Sequence, residues 1–207
     1  MAVSVDLFGT LVTADRPEEP WDATAATLRE RGVTVPEDWE TAYRSSHVAV
    51  DRGRELSLVA HAQAALASRG VDADEAVVRD ALVTAFDGPV TVRDGATDAL
   101  QAAASRGPVG ILSNCSLPGL VERTLSRAAL PVEFDAVVTS VGCGWRKPHD
   151  RAFEAVADAL GVSLADLIHV GDDPRTDGGA RTTDATVVLT EDVPLTEFPA
   201  WLEAECP

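Results

Sequence analysis

Residues 2–8 are apolar and β-branched and end at Gly9-Thr10, the pattern of a buried strand running into a turn. The period then changes, and residues 13–88 read as helical throughout. Residues 21–31 have helical spacing and stop at Gly32. A second helix opens on Pro36 and carries Trp39, Tyr43, His47 and Val50 along one side. Residues 56–69 form a third helix, ended by Gly70, and residues 72–86 a fourth, closed by Gly88-Pro89. After Pro89 helices and strands alternate. Helices over 94–106, 117–130 and 150–160 lead to strands over 109–113, 136–140 and 167–171. A short helix after Thr176 leads to a strand over 186–189, and residues 196–205 close the chain.

This alternation predicts an α/β fold: a Rossmann-like three-layer α/β/α core with a mostly parallel sheet. Residues 1–13 and 89–207 supply the core, and residues 14–88 form an inserted four-helix cap. Right-handed crossovers bring the C-terminal ends of the strands to one edge, where open α/β sheets bind ligands. The sequence has no internal repeat and no low-complexity segment.

Composition narrows the classes. Hydrophobic residues make up 45% of the 207, which argues against disorder. No apolar run reaches the roughly 18–20 residues of a membrane span, and the first eight residues read as a strand and not as a signal peptide. Cys115, Cys143 and Cys206 fit no zinc motif, and an odd set of cysteines reads as reduced thiols in a cytoplasmic protein. The net charge of −17 excludes nucleic acid and anionic membrane as partners. The acidic residues are spread along the chain, and a single lysine, Lys147, stands beside sixteen arginines. This balance reads as halophilic, a surface kept soluble in high salt, with GC-rich codon usage as the alternative. Either way, the one retained lysine marks a functional position.

Four short segments fall at strand ends: Asp6-Leu7-Phe8-Gly9-Thr10-Leu11, Leu112-Ser113-Asn114, Arg146-Lys147-Pro148, and Gly171-Asp172-Asp173 with Asp177. Each alone is a common turn or cap. Together, in this order and on one sheet edge, they resemble the haloacid dehalogenase superfamily of aspartate-nucleophile hydrolases, with a helical cap of the subfamily I kind. The resemblance spans residues 3–190.

The resemblance implies a nucleophilic Asp6, whose covalent intermediate divides one hard step into two easier ones. It implies that Ser113 and Asn114 hold the transferred group and that Lys147 stabilises charge beside the nucleophile. A compact ammonium suits that position, and the planar fork of arginine is no substitute. Asp172, with Asp6 and the carbonyl of Phe8, matches the family's Mg²⁺ site, a hard cation suited to oxygen donors. Asp177 is assigned to that metal site or to orienting Lys147. Thr10 is placed on the nucleophile's carboxylate or on a phosphate, with an ordinary turn hydroxyl as the alternative.

Phe8 departs from the family's phosphatases. They carry an aspartate there that serves as general acid and then base. An aromatic residue is the dehalogenase pattern, because halide leaves without a proton. Asp172, Asp173 and Asp177 point the other way, since dehalogenases need no metal. Clustered carboxylates repel unless a cation neutralises them, which favours Mg²⁺ and a phosphorylated substrate. The leading expectation is therefore Mg²⁺-dependent, phosphatase-type hydrolysis of a small, anionic metabolite. A 2-haloacid dehalogenase stands second. A catalytically weak binding or regulatory relative lacking the general acid stands third.

The remaining polar residues read as structural. Arg44, His47, Arg52 and Arg54 in the insertion are read chiefly as surface solvation, with contact to an anionic substrate as the alternative. His169 and Cys115 are read as packing, and Trp145 and Arg146 as loop structure. His149 flanks the Lys147 segment, and Asp173 is left open between assisting and facing solvent.

Overall fold

The computed structural model describes residues 1–205; Cys206, one of the cysteines read as a reduced thiol, lies outside them. Seven strands form, β1 (Ala2–Val5), β2 (Val12–Ala14), β3 (Val90–Val92), β4 (Val109–Ser113), β5 (Ala136–Thr139), β6 (Leu167–Gly171) and β7 (Thr186–Leu189). The helices are α1 (Pro20–Glu30), α2 (Trp39–Arg44), α3 (Leu58–Ala67), α4 (Glu75–Phe86), α5 (Ala96–Ala104), α6 (Leu120–Ala128), α7 (Ser140–Cys143), α8 (Asp150–Leu160) and α9 (Phe198–Glu205).

Five strands make a parallel sheet in the order β5-β4-β1-β6-β7. β1 lies at its centre and is buried along its whole length. Apolar residues on both sides of such a strand are what burial on both faces requires. One face packs with α5, α6 and α9 through residues such as Leu100, Val121 and Phe198. The other packs on α8 through Phe153 and Val156. Burying each large side chain of this kind is worth about 1.5–3 kcal/mol. The sheet is thus flanked by helices on both faces, as the alternating pattern predicts.

Helices α1 to α4 pack on one another around Leu28, Ala62, Leu66 and Leu82. Ser57 and Asp74 cap α3 and α4, each accepting from two amides of the first turn. The second helix is shorter than its periodicity predicts. It ends at Arg44, where Ser45 turns extended. His47 does not continue the helix. Its ring lies 2.7 Å from the carbonyl oxygen of Ala42, in the last turn of the helix, which also accepts from Ser45 N at 3.2 Å. Val50 of the expected stripe is exposed.

β2 and β3 form a two-stranded antiparallel ribbon that the sequence pattern does not announce. The chain leaves for the helical insertion along β2 and returns along β3, so both crossings lie side by side. Asp15 N donates to Pro89 O at 3.0 Å just beyond the ribbon. There a side chain at Gly88 would meet the carbonyl oxygen of Asp15 at 2.3 Å, so close contact of the crossings requires glycine. Among the described residues no helix is long and apolar enough to cross a membrane.

Candidate active site

Asp6 follows Val5, the last residue of β1, which ends three residues earlier than the sequence pattern predicts. Its neighbours come from the ends of the adjacent strands: Ser113 closes β4, and Asp172 follows β6. Lys147 precedes α8. A cavity of about 230 Å³ is lined by Asp6, Phe8, Ser113, Asn114, Lys147, Asp172 and Asp177, with Arg16 at its side. Parallel pairing of β1 to both β4 and β6 puts these residues on one edge.

Lys147 organises the cluster. Its ammonium has three N–H donors, and all three are used. They reach Asp6 Oδ1 at 2.7 Å, Asp177 Oδ1 at 2.5 Å and the carbonyl of Leu112 at 2.8 Å. Burial alone would depress the lysine, but the carboxylates of Asp6 and Asp177 overcome it and hold its pKa above the ordinary value. Asn114 holds the backbone below. Its amide nitrogen donates to Lys147 O and its oxygen accepts from Lys147 N, each at 2.9 Å. Asn114 thus anchors the lysine segment to β4.

Asp177 is held by three hydrogen bonds. Oδ1 accepts from Lys147 and lies 3.0 Å from His169 Nε2, while Oδ2 accepts from Asp173 N at 3.0 Å. Burial pushes His169 below its usual value, so the imidazole is neutral; its Nε2–H donates to Asp177 and its Nδ1 accepts from the Ser4 hydroxyl at 2.9 Å. Burial would raise Asp177, but the His169 hydrogen bond and the Lys147 charge hold its carboxyl well below the usual range. Gly171 leaves room for this carboxylate, since a Cβ there would lie 2.1 Å from Asp177 Cγ.

Asp6 is held differently. Burial pushes its carboxyl up to about 6, Lys147 pulls it down, and the Asp177 and Asp172 carboxylates add to the rise. Lys147 therefore does not neutralise the cluster by itself. One carboxylate oxygen each from Asp6, Asp172 and Asp177 lies within 4.8 Å of the others, close to the roughly 4 Å between opposite ligands of one octahedral ion. Thr10 aims Asp172, donating to its Oδ1 at 2.8 Å. Gly9, at φ +94°, makes room, since a Cβ there would lie 2.6 Å from Asp172 Oδ2. The Ser113 hydroxyl is sealed from solvent and has no partner, an unsatisfied group that a ligand oxygen would complete.

All the sequence-predicted site residues therefore meet around one cavity or brace it. Asp173 pairs with Arg175 at 2.9 Å. His169 is buried as expected of a structural residue, yet it also braces Asp177. Arg44, His47, Arg52 and Arg54 of the insertion do not line the cavity. Arg44 pairs with Glu40, and Arg54 lies over Trp145. Arg146 is more than loop structure: it pairs with Glu55, a buried carboxylate that also accepts from the Ser140 hydroxyl. Sequence reasoning passed over Glu55 and Arg16, which belong to no motif and meet their neighbours only through the fold.

The model of the haloacid dehalogenase-like hydrolases matches residues 1–180. A phosphatase of Mycobacterium tuberculosis is 37% identical over 97 residues, covering 46% of this chain and 45% of that protein. This chain thus spans less than half the length of that relative. An (S)-2-haloacid dehalogenase of Xanthobacter autotrophicus is 27% identical over 187 residues, or 87% of this chain and 70% of that one. The solved structure of the L-2-haloacid dehalogenase from Xanthobacter autotrophicus superposes with a TM-score of 0.56 at 25% identity, covering 97% of this chain and 87% of that one. The chain belongs to the haloacid dehalogenase-like hydrolase family.

Proposed function

We propose that the protein is a Mg²⁺-dependent hydrolase of small phosphorylated molecules that works through an aspartyl phosphate on Asp6. The observation that carries this reading is the convergence of the Asp6, Asp172 and Asp177 carboxylates around a lysine that cannot neutralise them all. The donors are hard oxygens, and Asp177 already holds three hydrogen bonds, one of them from Lys147. Asp6, Asp172 and the Phe8 carbonyl are the ligand set the reading assigns, with Asp177 fixing Lys147. When bound, Mg²⁺ supplies charge neutralisation that lets a carboxylate approach an anionic phosphoryl group.

The chain's own residues do the rest. A carboxylate oxygen of Asp6 bonds to phosphorus while the bond from phosphorus to the leaving oxygen breaks, and the leaving group keeps the electron pair. The Ser113 hydroxyl donates to a phosphoryl oxygen, and Lys147 balances the negative charge in the transition state. Water then attacks phosphorus, releasing inorganic phosphate and restoring Asp6. Phe8 offers no proton, so the substrates that fit leave as weak bases: acyl phosphates and phosphoanhydrides. Residues 14–88 act in this reading as a cap on a core of residues 1–13 and 89–207, excluding water from the cavity.

A second reading, 2-haloacid dehalogenation, rests on Phe8, because halide leaves a carbon centre without protonation. The test compares wild type and Asp6→Asn on acetyl phosphate, 4-nitrophenyl phosphate and 2-chloropropionate, with Mg²⁺ and with a chelator. Chelator-sensitive phosphate release that is lost in Asp6→Asn is the expected result. Halide release that resists the chelator replaces it with the dehalogenase reading. No turnover of any of the three overturns both and leaves a binding relative.

A further inference from the structure

Arg16 stands where the missing acid would have to act. Its guanidinium carbon lies 4.9 Å above the centroid of the Phe8 ring, the residue that occupies the general-acid position. Its backbone follows Asp15, which is tied to Pro89 at the end of the β2–β3 ribbon. The cation is therefore mounted on the point where the insertion crosses into the core, and not on a wandering loop. It makes no ion pair with any described carboxylate, in a chain with two acidic residues for each basic one.

Two cavities meet at this side chain. One holds Asp6, Lys147 and Asp172. The other, about 90 Å³, opens between the insertion and the core and is lined by Leu58, Phe86, Cys115 and Leu117. Phe8, Arg16 and Asn114 line both. A phosphoryl group beside Asp6 would thus extend its leaving group across Phe8 into the second cavity, passing beneath Arg16. That chamber is small and of mixed character, its apolar wall broken by Asn114, Ser116 and Thr124, with a guanidinium that pairs with no described carboxylate at its entrance. The Asp87 carboxylate also lines this chamber, but it is paired with Arg123 at 2.5 Å and Arg127 at 2.7 Å and makes no ion pair with Arg16. Burial pushes the Cys115 thiol up, so it adds no anion there.

We infer that Arg16 is a catalytic residue that stabilises the negative charge on the departing oxygen, replacing protonation by electrostatic stabilisation. The substrate class that follows is a small phosphoryl compound whose leaving group is itself a compact oxyanion, a carboxylate or a phosphate. As the phosphorus–oxygen bond breaks, both electrons stay on the leaving oxygen, and the guanidinium hydrogen-bonds to it without giving up a proton. The stacked geometry keeps the cation in place before bond cleavage, so stabilisation needs no reorganisation at that moment. This inference rests on the phosphoryl-transfer reading and deepens it.

The test is a leaving-group series in Mg²⁺: acetyl phosphate, 4-nitrophenyl phosphate and phenyl phosphate, with wild type, Arg16→Gln and Arg16→Lys. Arg16→Gln should lose on the order of 10- to 100-fold in kcat/KM on phenyl phosphate. It should lose far less on acetyl phosphate, steepening the dependence of rate on leaving-group basicity. Arg16→Lys, which keeps the charge without the planar stack, should fall between. An equal loss across the series, or none, overturns the inference while leaving the phosphatase reading intact. If wild type hydrolyses none of the three, that reading fails by itself, and binding then decides on Arg16. Calorimetric titration of acetate and of inorganic phosphate should show weaker binding in Arg16→Gln; equal binding overturns the assignment. The side chain is exposed, so the variants should keep the wild-type circular dichroism spectrum.

Discussion

The ammonium of Lys147 and the carboxylate of Asp177 lie 2.5 Å apart, each almost wholly sealed from solvent. A buried ion pair contributes little against a well-packed apolar alternative, but removing one partner strands the other. Lys147→Ala would leave Asp6 and Asp177 facing each other without a cation. The expected loss is about 3–5 kcal/mol of unfolding free energy, measured by urea titration at neutral pH. Lys147→Arg should keep part of that stability and still abolish turnover, since a planar fork cannot serve three acceptors set around one nitrogen.

The same cluster makes stability depend on pH with opposite signs at two carboxyls. Asp177 has a depressed folded pKa, so its contribution is present above its ordinary value of 3.8 and is lost as pH falls through the folded value. Asp6 is raised to about 6, so between 3.8 and 6 the folded state binds the extra proton. Stability then falls as pH rises through that window. Thermal melts of the metal-free protein should show this decline, and Asp6→Asn should remove it. With Mg²⁺ the proposed site holds Asp6 ionised, so the slope should flatten. A decline that persists unchanged in Asp6→Asn would rule out Asp6 as its source.

Gly9 offers a way to disturb Asp172 without touching an ionisable group. Its φ of +94° disfavours any side chain, and an added Cβ would displace the Asp172 carboxylate. The backbone strain in Gly9→Ala costs about 1–2 kcal/mol. The larger expected effect is on metal. Wild type should gain melting temperature with rising Mg²⁺, as any ligand that binds only the folded state requires. Gly9→Ala should lose most of that gain. An equal rise in both proteins would remove Asp172 from the proposed ligand set.

Glu55 ties the helical insertion to the segment carrying Lys147. Its side chain is 4% exposed and accepts from Arg146 at 2.5 Å. Backbone bonds flank it, Arg146 N to Gly53 O at 2.9 Å and Glu55 N to Gly144 O at 3.1 Å. Glu55→Ala leaves a guanidinium and a hydroxyl unpartnered at this junction, at a cost of about 1–3 kcal/mol. Residues 45–57 should then become more susceptible to limited proteolysis, with a parallel fall in kcat. Glu55→Gln, which keeps a hydrogen-bond acceptor, should be milder on both measures.

What the sequence revealed divides along physical lines. The core strands were legible because β1, β4 and β6 are buried on both faces and read as mostly apolar runs, broken only by the mutually bonded Ser4 and His169 and by Ser113 at a strand end. The β2–β3 ribbon was not. Val12-Thr13-Ala14 and Val90-Thr91-Val92 are too short to carry a period, and their pairing spans the whole insertion. The second helix was overextended because Trp39, Tyr43, His47 and Val50 keep helical spacing, although the chain leaves the helix at Ser45. In the site, the motif residues lie at or just beyond strand ends, where a local pattern can mark them. Glu55, 91 residues from Arg146 in sequence, and Arg16, stacked on Phe8, depend on tertiary placement that no local pattern encodes.

Phe8→Asp tests whether the acid alone is missing. Restoring a carboxylate at this position should supply a proton donor for poor leaving groups, but Arg16 lies over the site of the new side chain. An aspartate beneath a guanidinium is held ionised and makes a weak acid catalyst. Phe8→Asp alone should therefore raise the rate on phenyl phosphate only slightly. The double variant Phe8→Asp/Arg16→Gln removes the cation and lets the new carboxyl hold its proton, so it should exceed both single variants. The expected gain is in the range of 10²- to 10⁴-fold over Arg16→Gln, the usual scale of general acid catalysis. Steady-state rates on acetyl phosphate serve as the control, because a carboxylate leaving group has little use for the proton. If Phe8→Asp alone already gives the full gain, the two side chains do not interact as the stack implies.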